Sequence, residues 1–245
     1  MSRPVLFIGG LDSSGGAGIL RDTATAAELG APARVALTSV TAQSDHAVTA
    51  IHPVPSDVLA AQIDMGLHGG VGAVKIGMLG TRATVETVAD RLPRVPVVLD
   101  PVLRSSSGRD LIDAEGRAAM VGRLLPRATL LTPNIPELQA LAVATGLSAE
   151  APESTVVAEL LGRGCGAVLV KGGHGVPGGL CEDRLYTSAG QVERFARPWV
   201  RASLRGTGCQ LASAIAVHLG RGLALADAVA RARDLLQARF EAAAS

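Results

Sequence analysis

The chain has 245 residues, of which 48% are hydrophobic and only 2% aromatic, and its formal net charge is +1. This apolar content can fill a large core and excludes general disorder. The near-neutral charge and the shortage of aromatic rings for stacking bases argue against a nucleic-acid-binding or membrane-surface protein.

Short runs rich in β-branched residues alternate with longer Ala- and Leu-rich segments. They predict strands at 5–8, 35–42, 73–76, 95–99, 128–131 and 167–170, and a short extended piece at 48–54. The intervening segments predict helices at 18–29, 58–67, 83–92, 114–125, 135–142 and 156–161. This alternation is typical of an α/β fold, a mostly parallel central sheet with helices on both faces.

The alternation breaks at Gly172. Segments 181–186 and 192–200, separated by a turn at 188–190, predict a small antiparallel hairpin region. Helices at 208–219 and 224–244 follow. Because no linker rich in Pro, Gly or Ser divides the chain, we expect one domain over residues 1–245. Ligands bind beyond the carboxyl ends of the strands in such sheets, so polar residues there are the site candidates.

Three further features bear on location. The apolar runs are far shorter than the ~20 residues that span a bilayer. Residues 1–4 lead directly into a strand-like run, so we expect no secretory signal peptide. The cysteines, Cys165, Cys181 and Cys209, are odd in number and lack metal-ligand spacing, which predicts free thiols in a reducing, cytoplasmic setting.

The glycine-rich segment 9–18 joins the first predicted strand to the first helix. A Walker A loop needs Lys and Ser or Thr where this chain has Gly16 and Ala17. A dinucleotide-binding turn needs a third Gly where Arg21 stands. Two interpretations stay open: a tight structural turn, or a close backbone approach to a small ligand with Asp22 pointing back into the site.

The segment 205–212 places small, donor-rich residues directly before a long predicted helix. Gly206, Thr207 and Gly208 would let backbone N–H groups converge where the helix dipole adds positive charge. A phosphoryl group in transfer needs such stabilisation, and Cys209 in the first helical turn is expected to have a lowered thiol pKa. The alternative is an ordinary helix start with a buried cysteine.

Asp100 directly follows the predicted strand 95–99, and Asn134 and Glu137 follow the strand 128–131. Their i, i+3 spacing places Asn134 and Glu137 on one face of a first helical turn. Such oxygen ligands suit Mg²⁺ held through water and phosphate. A capping box, in which Asn134 caps the helix and Glu137 closes the box, explains the same pair equally well.

Three more residues lie at or just after predicted strand ends. Lys171 would neutralise a phosphate or lie in solvent, and Gln43 would recognise a polar heterocycle edge or cap a turn. Met78 alone is typical of a core residue. Each has a structural explanation by itself, but their joint placement at strand ends indicates a ligand site.

Eight strings in chain order carry a specific resemblance, at 10–22, 41–43, 75–79, 100–102, 107–108, 131–137, 170–174 and 206–209. The ordered set resembles the hydroxymethylpyrimidine/phosphomethylpyrimidine kinase family of thiamin biosynthesis, within the ribokinase-like superfamily. That resemblance implies a three-layer ribokinase-like fold with ATP and Mg²⁺ as cofactors. It implies 4-amino-5-hydroxymethyl-2-methylpyrimidine as the acceptor, and many members also phosphorylate the monophosphate.

The resemblance also assigns residues. It places pyrimidine contacts at Gly10, Asp22, Gln43, Met78 and Val102. It places Mg²⁺ ligands at Asp100, Asn134 and Glu137, and contacts to the ATP phosphates at Lys171, Asn134 and Glu137. Residues 206–208 would stabilise the transferring group, and Cys209 would take the place of the aspartate base of sugar kinases. The hairpin region would partly cover the nucleotide, and a homodimer is expected.

Two departures from the family pattern flank residues 206–209. The family usually has His before this string and Thr after it, where this chain has Arg205 and Gln210. They bear on the second phosphorylation, which must hold an extra anion, and Arg205 would supply a compensating positive charge. Two other functions stay open: a pyridoxal kinase, whose substrate also presents a hydroxymethyl group, and a non-catalytic pyrimidine-binding regulator.

Overall fold

The computed structural model describes residues 3–105, 107–172 and 179–244. Within these residues the strands are β1 (Val5–Asp12), β2 (Ala33–Gln43), β3 (Val48–Pro53), β4 (Ala73–Ile76), β5 (Val97–Leu99), β6 (Leu130–Leu131), β7 (Ala167–Val170), β8 (Leu180–Thr187) and β9 (Val192–Pro198). They form one sheet in the order β3-β2-β1-β4-β5-β6-β7-β8-β9. Neighbouring strands in the run β2-β1-β4-β5-β6-β7 pair in parallel.

The helices are α1 (Gly18–Glu28), α2 (Ser56–Leu67), α3 (Arg82–Ala89), α4 (Ala114–Ala119), α5 (Ile135–Ala144), α6 (Glu153–Gly162), α7 (Thr207–Gly220) and α8 (Leu225–Ala244). The predicted regular helix 114–125 is wrong beyond Ala119. The chain there forms a π-helical turn, Met120–Leu124, and then a 3₁₀ turn, Leu125–Arg127. Pro126 lacks a backbone N–H, so a regular helix cannot continue through it.

Side-chain alternation along the strands separates two cores. Leu6 and Ile8 of β1 belong to the core that also contains residues of α2, α3, α5 and α6, whereas Val5 and Phe7 belong to the core that contains residues of α1, α7 and α8. Successive strand residues point to opposite faces, and both faces of a mostly parallel sheet are covered by helices. The predicted three-layer α/β fold is therefore confirmed. No helix of the described residues is long and apolar enough to cross a membrane.

The sheet is antiparallel at both edges. The predicted hairpin is confirmed as β8 and β9. The extended piece after β2 proves to be an edge strand, β3, paired antiparallel with β2. Strand β1 also continues to Asp12 instead of ending at Ile8, because its pairing with β2 shifts register between Gly9 and Gly10 and resumes beyond.

Candidate active site

A cavity of about 520 Å³ opens at the carboxyl ends of the parallel strands. Every residue predicted for the site except Arg205 lines it: Gly10, Asp22, Gln43, Met78, Asp100, Val102, Asn134, Glu137, Lys171, Gly206, Thr207, Gly208 and Cys209. The glycine-rich segment after β1 contributes part of the wall, which supports its interpretation as a ligand-approaching turn. The topology therefore brings the predicted site together.

The N-terminus of α7 supplies the predicted anion-binding segment. Gly206 has φ +68° and precedes the first helical residue, and a Cβ atom there would clash with the carbonyl oxygen of Gly16. The N–H groups of the first turn have no acceptor within the helix. A Cβ at Gly208 would lie 3.2 Å from Lys171 Nζ, so this glycine keeps the space beside the ammonium open. The positive end of the helix dipole and the Lys171 ammonium are thus adjacent in the cavity wall, an arrangement that favours an anion.

Lys171 connects two acidic groups in the cavity. Its Nζ donates to Asp100 Oδ1 at 3.0 Å and lies 3.7 Å from Glu137 Oε2. Thr132 Oγ1 donates to the same Asp100 oxygen at 3.0 Å. Burial acts to raise the pKa of Asp100, but attraction to Lys171 and Lys75 outweighs it and the net pKa is lowered. Asp100 is therefore an anion in a nearly water-free position.

Asn134 and Glu137 form the predicted capping box of α5. Asn134 Oδ1 accepts from the Glu137 N–H, and Glu137 Oε2 accepts from the Asn134 N–H, both at 2.8 Å. The structural explanation of this pair is therefore confirmed, although both residues also line the cavity. Burial raises the pKa of Glu137 despite the nearby Lys171 ammonium.

The donor set at this end of the cavity suits a metal that keeps most of its own water. Asp100 and Glu137 are the two carboxylates beside Lys171. Within the described residues no three His, Cys, Asp or Glu side chains form a metal-binding cluster. Mg²⁺ is usually bound by one or two carboxylates together with waters and substrate phosphates, so these residues fit it.

A buried ion pair forms part of the cavity wall. Lys75 Nζ donates to both Asp22 carboxylate oxygens at 2.9 Å, and Ser213 Oγ donates to Asp22 Oδ1 at 2.8 Å. Burial acts to lower the pKa of Lys75, but Asp22, Cys209 and Asp100 raise it above its ordinary value. Lys75 and Lys171 are the two lysines of the chain, and both line the cavity.

The sequence analysis gives Lys75 no role in the site. The signal that points to one is a lysine inside the apolar strand β4, since a buried lysine requires a paired anion. Asp22 is the other member of this ion pair, and its predicted role is a pyrimidine contact. Both of its carboxylate oxygens already accept hydrogen bonds from Lys75. A contact between Asp22 and the pyrimidine therefore stays a prediction.

Cys209 lies in the first turn of α7 and is partly buried. The expected lowering of its thiol pKa is wrong, because burial raises the pKa to about 11. The Lys75 ammonium opposes this shift, while the Asp22 and Asp100 carboxylates add to it. Desolvation and two nearby anions therefore outweigh the helix dipole at this position.

The acceptor end of the cavity combines apolar and polar walls. Met78 and Val102 supply apolar surface, and a Cβ atom at Gly10 would lie 2.8 Å from Met78 Sδ. Ser13 Oγ accepts from the Gln43 N–H at 2.8 Å and donates to the Gln43 carbonyl at 3.0 Å. The Gln43 backbone is thus fixed, and Gln43 is one of the residues that line the cavity, as a heterocycle contact requires.

Arg205 does not take the predicted place. Its guanidinium donates to Ser14, Asp45 and Asp12. Asp12, which lines the cavity, and Asp45 neutralise the guanidinium. The positive charge predicted to compensate an extra phosphate is therefore already paired with these two carboxylates. In addition, Gly173 and His174 of the 170–174 string lie outside the described residues.

A second cavity of about 470 Å³ adjoins the first. Residues from β8, α8 and the segment after β9 line it, including Asp183, Trp199 and Phe240. The two cavities share Lys171 and Gly208. The two cavities therefore meet at the Lys171 ammonium and the first turn of α7.

Two adjoining cavities that share the first turn of a helix, on a three-layer α/β fold, suit a small-molecule kinase. The sequence profile described as phosphomethylpyrimidine kinase matches residues 12–245. A hydroxymethylpyrimidine/phosphomethylpyrimidine kinase of Mycobacterium bovis is 42% identical over 231 residues, which cover 92% of this chain and 83% of that protein. The chain belongs to the phosphomethylpyrimidine kinase family and is a phosphotransferase.

Solved structures agree with this assignment. A phosphomethylpyrimidine kinase from Clostridium difficile superimposes with a TM-score of 0.81 at 30% identity, covering 97% of this chain and 99% of that one. A pyridoxal kinase from Staphylococcus aureus, in complex with AMP-PCP and pyridoxal, gives a TM-score of 0.82 at 28% identity, with 96% and 87% covered. The fold is thus ribokinase-like, as the sequence predicts.

Proposed function

We propose that the protein transfers the γ-phosphoryl group of ATP to the hydroxymethyl oxygen of 4-amino-5-hydroxymethyl-2-methylpyrimidine in thiamin biosynthesis, with the resulting monophosphate as the candidate second acceptor. The observation that carries the proposal is the pair of joined cavities, which meet at Lys171 and the first turn of α7. Gln43 and Met78 occupy the acceptor side of that junction. The substrates named for relatives of this chain support the same acceptor.

In the proposed reaction the ATP phosphates lie along the second cavity and reach the junction. The backbone N–H groups of residues 207–209 would hold the transferring group, and Lys171 would balance its charge. When bound, Mg²⁺ would neutralise phosphate charge, with Asp100 and Glu137 as its protein ligands. Asn134 would fix the position of the Glu137 carboxylate through the two hydrogen bonds of the capping box.

Cys209 is the proposed proton acceptor for the substrate hydroxyl. A thiol with a pKa of about 11 is mostly protonated at neutral pH, but its thiolate is a strong base. The Lys75 ammonium favours that thiolate, since it attracts the negative sulfur. In-line transfer would then form the bond from the γ-phosphorus to the hydroxymethyl oxygen as its bond to the β,γ-bridging oxygen breaks, so that ADP leaves and the hydroxyl proton moves to Cys209 Sγ.

The acceptor can be identified by ADP release from the purified protein with MgATP. We expect turnover with the hydroxymethylpyrimidine, and at least about tenfold lower kcat/KM with pyridoxal, because a hydrogen-bonding pocket rejects a mismatched ring. The pyridoxal kinase similarity makes pyridoxal the relevant competitor. Preference for pyridoxal would contradict the proposal, and pyrimidine binding without ADP release would indicate a non-catalytic regulator.

We also propose a cytoplasmic homodimer of one kinase domain per chain. The three free cysteines support a reducing location. An exposed edge strand, β3, and the 41% exposed Val35 and Val40 of neighbouring β2 support self-association through this edge. Light scattering is expected to give twice the chain mass of 24.9 kDa. A mass of one chain at micromolar concentration would contradict the dimer.

A further inference from the structure

Arg205 joins separate segments at the rim of the first cavity. Its Nη1 donates to Ser14 Oγ and to Asp45 Oδ1, both at 2.6 Å, and its Nη2 donates to Asp12 Oδ2 at 3.1 Å. The Arg205 side chain is 19% exposed and that of Asp12 only 4%. One guanidinium thus connects the segment before α7, the end of β1 with its following loop, and the turn between β2 and β3.

The glycine-rich loop, defined as residues 12–17, carries this contact to the acceptor end. The Asp12 carboxylate also accepts two backbone N–H groups of the loop, at 2.9 Å each. In the same loop, the Ser13 hydroxyl donates to the Gln43 carbonyl and accepts from the Gln43 N–H. A displacement of Arg205 would therefore reach Gln43, the proposed pyrimidine contact.

Arg205 also contacts Gly16 and α8. A Cβ atom at Gly16 would lie 2.9 Å from Arg205 Nη1, so the glycine-rich loop rests directly on the guanidinium. From α8, Arg239 donates to the Arg205 carbonyl at 3.3 Å and to Gln210 Oε1 at 2.6 Å. Both residues that depart from the family pattern are therefore held around the start of α7.

We propose that Arg205 is a positioning residue, which fastens the glycine-rich loop and the 44–47 turn to the N-terminus of α7. It thereby fixes the acceptor pocket relative to the site of phosphoryl transfer. Its charge is matched by Asp12 and Asp45, so it is not a ligand of the acceptor's phosphate. This inference rests on the proposed kinase function, because the alignment of the two ends matters for transfer between them.

The chemistry of the contact requires arginine. A planar guanidinium can serve two carboxylates and a hydroxyl from fixed directions, whereas a lysine ammonium on a flexible stem cannot hold the same geometry. The Arg205→Lys variant therefore keeps the charge and loses the positioning. Small displacements of reacting groups lower turnover steeply, so we expect kcat to fall about tenfold or more, with KM for ATP within about twofold.

The Asp45→Asn variant separates positioning from direct phosphate binding. Asp45 is 69% exposed, so the change leaves the core intact and frees part of the Arg205 charge. If Arg205 is a positioning residue, Asp45→Asn should lower kcat about threefold, a modest loss because Asp45 is exposed. The double variant with Arg205→Lys should lose no more kcat than Arg205→Lys alone. A lower KM for the monophosphate acceptor in Asp45→Asn would instead show that Arg205 binds phosphate, and would overturn the proposal.

Hydrogen exchange tests the same proposal without any substrate. In Arg205→Lys the amides of residues 13–17 and 43–47 are expected to exchange faster than in the unmodified protein. Arg123→Lys is the matched control, since Arg123 makes a 2.6 Å surface pair with Asp90 away from the cavity. Unchanged exchange in Arg205→Lys would overturn the positioning role. If the unmodified protein released no ADP with the pyrimidine, the proposed function would fail while the exchange result still decided this inference.

Discussion

Replacing Cys209 with alanine is expected to lower kcat by about 10²–10⁴-fold, the range for losing a positioned proton acceptor. ATP affinity should change little, because the backbone N–H groups and Lys171 stay in place. At pH 7 a thiol of pKa about 11 is ionised in about one molecule in 10⁴, and that fraction rises tenfold per pH unit. We therefore expect kcat of the unmodified protein to increase from pH 7 to pH 9, and kcat of the variant to stay flat.

The control for this prediction is Cys165→Ala. Cys165 is also a buried thiol whose pKa is raised to about 11, but its Sγ donates to the Ala167 carbonyl in the core rather than facing the cavity. Its replacement should leave kcat within about twofold and the pH profile unchanged. Near-normal turnover in Cys209→Ala, measured by ADP release, would remove the base assignment.

Replacing Lys171 with methionine is expected to lower kcat/KM by about 10²–10³-fold, because the transferring group loses its cationic partner. The variant should also lose stability, on the order of 3–5 kcal/mol, since Asp100 and Glu137 then face each other without a shared cation. Steady-state kinetics and urea unfolding measure the two effects separately. Activity within tenfold of normal would contradict the proposed role of Lys171.

The pH dependence of the Lys171→Met variant follows from the Asp100 pKa. In the unmodified protein that pKa is lowered, so Asp100 contributes stability above its unfolded pKa, which is lost as pH falls. Without Lys171 the Asp100 pKa rises and protonation favours the fold. The stability deficit should therefore shrink as pH falls towards 5. Adding Asp100→Asn should recover stability at neutral pH but not activity, which separates the structural effect from the catalytic one.

Much of the fold could be predicted from periodicity. The buried strands β4 and β7 occur as continuous apolar runs, and the predicted bounds 73–76 and 167–170 match the structure. The edge strand β3 was predicted only as an extended piece, because its partner and direction depend on contacts distant in sequence. The irregular turns after Ala119 depend on how Pro126 is accommodated, which local patterns do not specify.

The site was predictable where residues follow strand ends, and less so where their chemistry depends on neighbours. Strand-end placement was enough to bring Asp100 and Lys171 into one cavity. Sequence position alone could not give the raised Cys209 pKa, which results from burial and two carboxylates contributed by other segments. Similarly, Arg205 was expected at the phosphate because it adjoins residues 206–209, yet its partners Asp12 and Asp45 lie more than 150 residues earlier in the chain.

The placement of both lysines in the cavity has a practical consequence for chemical labelling. Acylating reagents require an unprotonated, accessible amine, but Lys75 is 1% exposed and Lys171 13%, and neighbouring acids raise the pKa of both. The rest of the basic surface consists of arginine and histidine. Amine-directed dyes and crosslinkers should therefore leave both lysines of the folded chain unmodified.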